Sequence, residues 1–235
     1  MNHNQKTPFS PASKVGLLRV LLKVCGITIP NQATQLRQLG VDLLGLNFHP
    51  SSPRFVSAEL ARQLAQAWGD PSTVVGVFVD RSAQEVIETQ QATGFGIAQL
   101  HGDESAETVA EVASKLQVIK AFRIKDHDSL ERAGHLLDLL KGKGVELKAV
   151  LIDGYSASAH GGTGVSVAKD LVISATKLHP KLILAGGLTP ENLEERLAWV
   201  QPWAVDVASG VESSPGVKQM DAVLSMVQMI RKTAR

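Results

Sequence analysis

The sequence predicts an α/β fold, a single (β/α)8 TIM barrel, and three observations predict it. Short runs rich in Val, Ile and Leu alternate strictly with longer amphipathic segments, which calls for parallel strands joined by right-handed crossovers. The short runs are apolar throughout, the pattern of strands buried on both faces of a parallel sheet. Eight such units occupy residues 21–235 of a 235-residue chain, which leaves no room for a second domain and suits the small end of the barrel range. An open doubly wound sheet is the alternative. Its most common fingerprint, G-x-G-x-x-G, is absent, and the first turn reads Cys25-Gly26-Ile27-Thr28.

Residues 1–20 are expected to form a leader, because Met1 to Lys14 is polar, carries two prolines and shows no period. The first strand-like run, Leu21 to Ile27, precedes a helical pattern over Asn31 to Leu39. Leu43 to Phe48 leads into Ala58 to Trp68, with Ser57 placed to cap that helix. Val74 to Val79 is followed by Ala83 to Gln91, where Ser82 and Glu85 have capping-box spacing. Ile97 to Leu100 pairs with Ala106 to Leu116, and Val118 to Ile124 with Ser129 to Leu140. Lys141 to Lys148 reads as an exposed insertion. Ala149 to Ile152 precedes Val167 to Leu178, and Leu182 to Ala185 precedes Pro190 to Trp199, where proline suits the first helical turn. Ala204 to Val207 and Val217 to Ile230 close the set.

Composition excludes several function classes. With 44% hydrophobic residues and a net charge of +1, the chain is not intrinsically disordered. Near-neutrality gives no push toward nucleic acid or membrane surfaces. No apolar run reaches the roughly 18 residues of a membrane helix. The most apolar early stretch, Val15 to Val24, is cut by Arg19 and Lys23 and lacks a small-residue cleavage site. A cytoplasmic protein is expected, with its oligomeric state open. The single cysteine, Cys25, excludes an intrachain disulfide and a multi-thiolate zinc site. With no His-Glu-x-x-His or calcium-loop spacing, neither a metal nor another cofactor is expected.

In such a barrel, chemistry gathers at the C-terminal ends of the strands, and phosphate is often held after strands seven and eight. Ala185-Gly186-Gly187-Leu188 and Ala208-Ser209-Gly210-Val211-Glu212 stand at those two ends. Glycines there let backbone amides approach an anion, and a short helix after Gly210 would add its positive end. A phosphorylated small molecule is the expected ligand. Cys25 ends the first run, with Lys23 two residues earlier on the same strand face. It is either a small buried hydrophobe or a thiol that the ammonium biases toward thiolate. Asp153 ends the sixth run, as a loop cap or as an acid or base, before the loop Gly154 to Gly164. Asp206 interrupts the eighth run and needs a partner, with Lys23 or His101 the candidates. The Arg54 fork suits a carboxylate or phosphate. His101 and Arg123 close the fourth and fifth runs and face the same mouth.

Together these motifs resemble those of phosphoribosylanthranilate isomerases. The resemblance rests on Lys23-Val24-Cys25-Gly26-Ile27-Thr28, Ser52-Pro53-Arg54-Phe55-Val56 and Val75-Gly76-Val77-Phe78-Val79. It continues through Gln99-Leu100-His101-Gly102-Asp103-Glu104, Asp153 with Gly161-Gly162-Thr163-Gly164, Ala185 to Asn192, and Asp206 to Glu212. It implies an Amadori rearrangement in tryptophan biosynthesis, with Asp153 as general acid and Cys25 as general base. The same resemblance implies that Arg54 holds the anthranilate carboxylate. It makes Gly186, Gly187, Ser209 and Gly210 the phosphate cradle, and places His101 and Asp206 among the substrate-binding residues. Two departures are visible: Val165-Ser166-Val167 replaces the family's frequent Phe-Asp-Trp, and Ala208 stands where serine is frequent. A histidine-pathway sugar-phosphate isomerase and a non-catalytic anion-binding barrel are the other readings. The first would carry a carboxylate where Cys25 stands.

Overall fold

The computed structural model describes residues 19–154 and 163–233, with 163–168 as backbone alone. Most of the expected leader (1–18) and of the loop after Asp153 (155–162) therefore lies outside the described residues.

Eight parallel strands close on themselves in chain order. They are β1 (Leu21–Cys25), β2 (Leu43–Asn47), β3 (Val74–Phe78), β4 (Ile97–Leu100), β5 (Gln117–Ile124), β6 (Ala149–Gly154), β7 (Leu182–Ala185) and β8 (Ala204–Val207). The crossover helices are α1 (Pro30–Leu39), α2 (Ala58–Trp68), α3 (Ala83–Thr93), α4 (Ala106–Ala113), α5 (His127–Gly142), α6 (Thr163–Ala175) and α7 (Leu193–Trp199), and α8 (Met220–Thr233) completes the ring. Side-chain caps start several of them. Ser57 accepts from the Leu60 amide, Ser82 and Glu85 form the expected capping box, and Asp126 and Ser129 form another.

Strand periodicity of two divides the apolar residues between two cores. Leu43, Val75, Ile97, Ile119, Leu151 and Ile183 fill the barrel interior, while Val24, Leu44, Leu46 and Val205 pack outward under the helices. Two charges share that interior. Lys23 and Asp206 are Cα partners on β1 and β8, with Nζ 2.8 Å from Oδ2, and Lys23 is wholly buried. A second buried pair, Lys120–Glu104 at 2.8 Å, lies where β5 meets the loop after β4. Lys120 Nζ also donates to the Gly102 carbonyl at 2.8 Å, and Glu104 accepts from the Gly102 amide at 2.9 Å. This clamp fixes the backbone immediately after His101.

Several expected boundaries move, each for a local reason. The first strand ends at Cys25, not Ile27, because the Gly26 and Ile27 amides both turn onto the Gly45 carbonyl. The sixth continues through Gly154, so Asp153 sits inside a strand and is held in register with Arg123 and Ala185. Helix α7 starts at Leu193 and not Pro190, since the Asn192 side chain accepts the Thr189 amide and closes a turn first. In place of the short helix expected after Gly210 there is one 3-10 turn, Ser209–Val211. Residues Val217–Lys218, expected to open the last helix, form β10 and pair antiparallel with β9 (Glu212–Ser214). The predicted insertion is in part the end of α5, and its Lys148 donates to Gln117 at 2.7 Å. Among the described residues, no helix is long and apolar enough to cross a membrane.

A charge left alone in the barrel interior is expensive, so Lys23→Met should lower unfolding stability by about 3–5 kcal/mol in a urea titration. Lys23→Met combined with Asp206→Leu should regain most of that loss. A double variant no more stable than the single one would contradict the ion pair's role.

Candidate active site

A cavity of about 250 Å³ opens at the C-terminal ends of the strands. Cys25, Arg54, His101, Asp153, Gly186, Gly187, Asp206, Ser209 and Gly210 all line it, so every residue expected to act on or bind the substrate lies there. Asn47 and Gln99 line it too, and neither was singled out from the sequence. Arg123 does not. It lines a neighbouring cavity of about 220 Å³ with His101 and Arg132, because it closes β5 beside the start of α5.

Cys25 closes β1 and is half-buried. Its place depends on Gly45 of β2, where an added Cβ would lie 2.8 Å from both the Cys25 Sγ and its Cα. Burial pushes the thiol up, and the Lys23 ammonium pulls it down. Asp206 pushes it up again, Lys218 opposes that, and the thiol ends above its usual value. The expected bias of Lys23 toward thiolate is present, but Lys23 is paired with Asp206, and desolvation outweighs it.

Asp153 faces the same cavity from β6, three strands round the ring from β1. Gly186, at φ +95°, makes room for it: a Cβ there would stand 2.9 Å from Asp153 Oδ1 and 2.1 Å from the Gly154 carbonyl oxygen. The His101 Nε2 lies 3.5 Å from Asp153 Oδ2. Asp206 resolves as the partner of Lys23 and not of His101. Its second oxygen, Oδ1, is buried without a hydrogen-bond partner among the described residues, as are Gln99 Oε1 and His101 Nε2.

Arg54 reaches the cavity from the loop after β2. Its Nε donates to Glu212 Oε1 at 2.9 Å and its Nη2 to Oε2 at 2.6 Å, which leaves the Nη1 edge for a ligand. Glu212 also accepts from Lys218 Nζ at 2.5 Å, and the same ammonium donates to the Cys25 carbonyl at 2.5 Å. Burial pushes the Glu212 carboxyl up, but hydrogen bonds from Arg54 and Lys218 outweigh it and hold it below the usual carboxylate range. Sequence reading assigned no role to Glu212 or Lys218. A signal was available, because Pro215-Gly216 between Glu212–Ser214 and Val217–Lys218 is a turn pair that announces a hairpin.

The amides of Gly186, Gly187, Ser209 and Gly210 donate no hydrogen bond to a described residue. Four such donors lining one cavity suit a phosphate. No group of three or more His, Cys, Asp or Glu side chains among the described residues could hold a metal ion. The arrangement offers an acid or base on each of two walls, an arginine edge for a carboxylate and an amide cradle for a phosphate.

Known proteins resemble this chain over most of its length. Residues 22–229 match the family model described as N-(5'-phosphoribosyl)anthranilate (PRA) isomerase. An N-(5'-phosphoribosyl)anthranilate isomerase of Geobacter metallireducens is 40% identical over 209 residues, covering 89% of this chain and 98% of that protein. The phosphoribosyl anthranilate isomerase of Thermotoga maritima superposes with a TM-score of 0.78 at 31% identity, covering 91% of this chain and 99% of that one. Another solved phosphoribosyl anthranilate isomerase, at TM-score 0.77 and 29% identity over 91% of this chain and 99% of that one, is bound to reduced 1-(o-carboxyphenylamino)-1-deoxyribulose 5-phosphate.

The thiol can be titrated chemically. Only thiolate attacks iodoacetamide, so alkylation of Cys25 should quicken as pH rises, with a midpoint above the usual thiol value of about 8.5. Lys23→Met removes an attraction and should move that midpoint higher still. A midpoint that falls in the variant would contradict the electrostatics described.

Proposed function

The chain belongs to the N-(5'-phosphoribosyl)anthranilate isomerase family, and from that premise we propose that Cys25 and Asp153 carry its proton transfers. The activity is the isomerisation of phosphoribosylanthranilate in tryptophan biosynthesis, an aldose–ketose interconversion. The substrate is an aminoaldose with a phosphate at one end and a carboxylated aromatic ring at the other. Its Amadori rearrangement opens the furanose ring and relays protons with no net oxidation, so it needs neither a redox cofactor nor a metal.

In this reading the Asp153 carboxyl gives its proton to the furanose ring oxygen, the ring C1–O bond breaks, and a Schiff base forms between C1 and the anthranilate nitrogen. Cys25, as thiolate, takes the proton from sugar C2. The electron pair of that C–H bond becomes the C1–C2 double bond of an enolamine, which tautomerises to the ketone. A thiolate that burial makes costly in the free enzyme is correspondingly basic once formed, which suits removal of a carbon-bound proton. Gly186, Gly187, Ser209 and Gly210 hold the phosphate, Arg54 pairs with the anthranilate carboxylate through Nη1, and His101 and Asp206 meet the sugar between them. A product analogue bound to a related enzyme is consistent with this occupancy. The enzyme acts in the cytoplasm. One observation carries the reading: Cys25 and Asp153 line a single cavity from separate strands, together with four residues whose amides pair with no described residue.

Adding the purified protein to phosphoribosylanthranilate should extinguish its fluorescence. Cys25→Ala and Asp153→Ala should each lower kcat by about 10²–10⁴. Arg54→Ala should act mainly on KM, because it removes ground-state binding. Near-normal turnover in both the Cys25 and Asp153 variants would refute the assignment.

A further inference from the structure

Resting on Asp153 as the acid, we infer that Gln99 is a positioning residue that fixes the His101 tautomer and so aims an N–H at the acid. Gln99 is the inward-facing side chain of β4, two residues before His101, and is only 1% exposed. Its amide nitrogen lies 3.3 Å from His101 Nδ1. An amide nitrogen can only donate, so Nδ1 must present a lone pair and the ring proton resides on Nε2. That nitrogen is the one facing Asp153 Oδ2 at 3.5 Å.

The opposite arrangement is unfavourable on this geometry. Turning the Gln99 amide over would put the ring proton on Nδ1 and an Nε2 lone pair against the Asp153 oxygen. It would also bury an NH2 group in the place of the single unpaired Oε1. A doubly protonated ring would set an Nδ1–H head-on against the Gln99 N–H. Among the described residues, the charged or titratable groups lining the two cavities that His101 borders are Asp153 on β6, Lys120 and Arg123 on β5, Asp103 and Glu104 after β4, Arg132 on α5 and, across the larger cavity, Cys25, Asp206 and Arg54. Among the described residues none of them hydrogen-bonds to Nδ1, so the tautomer depends on Gln99.

The consequence for the reaction is specific. A neutral Nε2–H donor orients the carboxyl, and its hydrogen bond strengthens as Asp153 becomes the carboxylate on giving up its proton. A full imidazolium charge at that place would favour the carboxylate before the substrate arrives and remove the acid. The 3.5 Å separation is long, as catalytic hydrogen bonds in ligand-free enzymes often are before they tighten around substrate. Gln99 therefore acts through His101, and its loss should appear in turnover more than in binding.

The test uses the whole enzyme labelled with 15N histidine. Long-range proton–nitrogen correlations, with the His101 signals identified by their loss in His101→Asn, should place the ring proton on Nε2. Gln99→Leu should lower kcat by about tenfold to a hundredfold with KM held within about twofold. Gln99→Glu, which offers only acceptors, should move the proton to Nδ1. A wild-type spectrum showing the Nδ1–H tautomer would overturn the inference, and so would unchanged kcat in Gln99→Leu while Asp153→Asn is inactive. Should Gln99→Leu fail to fold, the wild-type spectrum decides alone, since it does not depend on what Asp153 does. Undiminished turnover in Asp153→Asn would instead remove the acid assignment itself.

Discussion

Closing eight parallel strands into a ring turns every second side chain of each strand into a confined interior, and the chemistry of this protein follows from which residues the ring admits. Apolar side chains fill the lower layers at the density of any core. One step below the open face the interior takes in two charges, Lys23 and Asp206. Neither could stand there alone. Their pairing across β1 and β8 allows the next inward residue on β1, Cys25, to sit beside an ammonium that is already neutralised. The same ring lets Asp153 of β6 face that thiol without the two being neighbours in the sheet.

The site is built from exclusions as much as contacts. Gly45 and Gly186 stand where any side chain would displace the thiol or crowd the carboxyl. Backbone amides at the ends of β7 and β8 pair with no described residue. On the other side, the β9–β10 hairpin carries Glu212 and Lys218 back onto the loop of Arg54 and the carbonyl of Cys25. This network joins Arg54 to the strand end that bears the thiol. A change at Glu212 would thus be felt at two places that share no sequence neighbourhood.

Burial and reactivity oppose each other throughout. Desolvation raises the thiol, and the lysines that counter it are themselves engaged, Lys23 by Asp206 and Lys218 by Glu212. On the facing wall, His101 Nε2 stands 3.5 Å from Asp153 Oδ2, with the Gln99 amide behind the ring.

Much of this was legible in the residues. Alternation of apolar runs with amphipathic segments identified the eight units, since local periodicity is dictated by the strand and helix repeats themselves. Cys25, Asp153 and the two glycine sites were visible because the barrel rule says which end of a strand to inspect. Gln99, Glu212 and Lys218 were not. A glutamine inside an apolar strand looks like filler until its neighbour two residues on is seen to be a histidine facing an acid. Glu212 and Lys218 acquire meaning only when the hairpin folds them against residues more than 150 positions away. Composition and spacing alone determined the barrel, the strand ends and the types of reactive group. Tertiary structure decided which charge pairs with which, and therefore whether burial or attraction governs the thiol, because that balance depends on distances that no one-dimensional pattern contains.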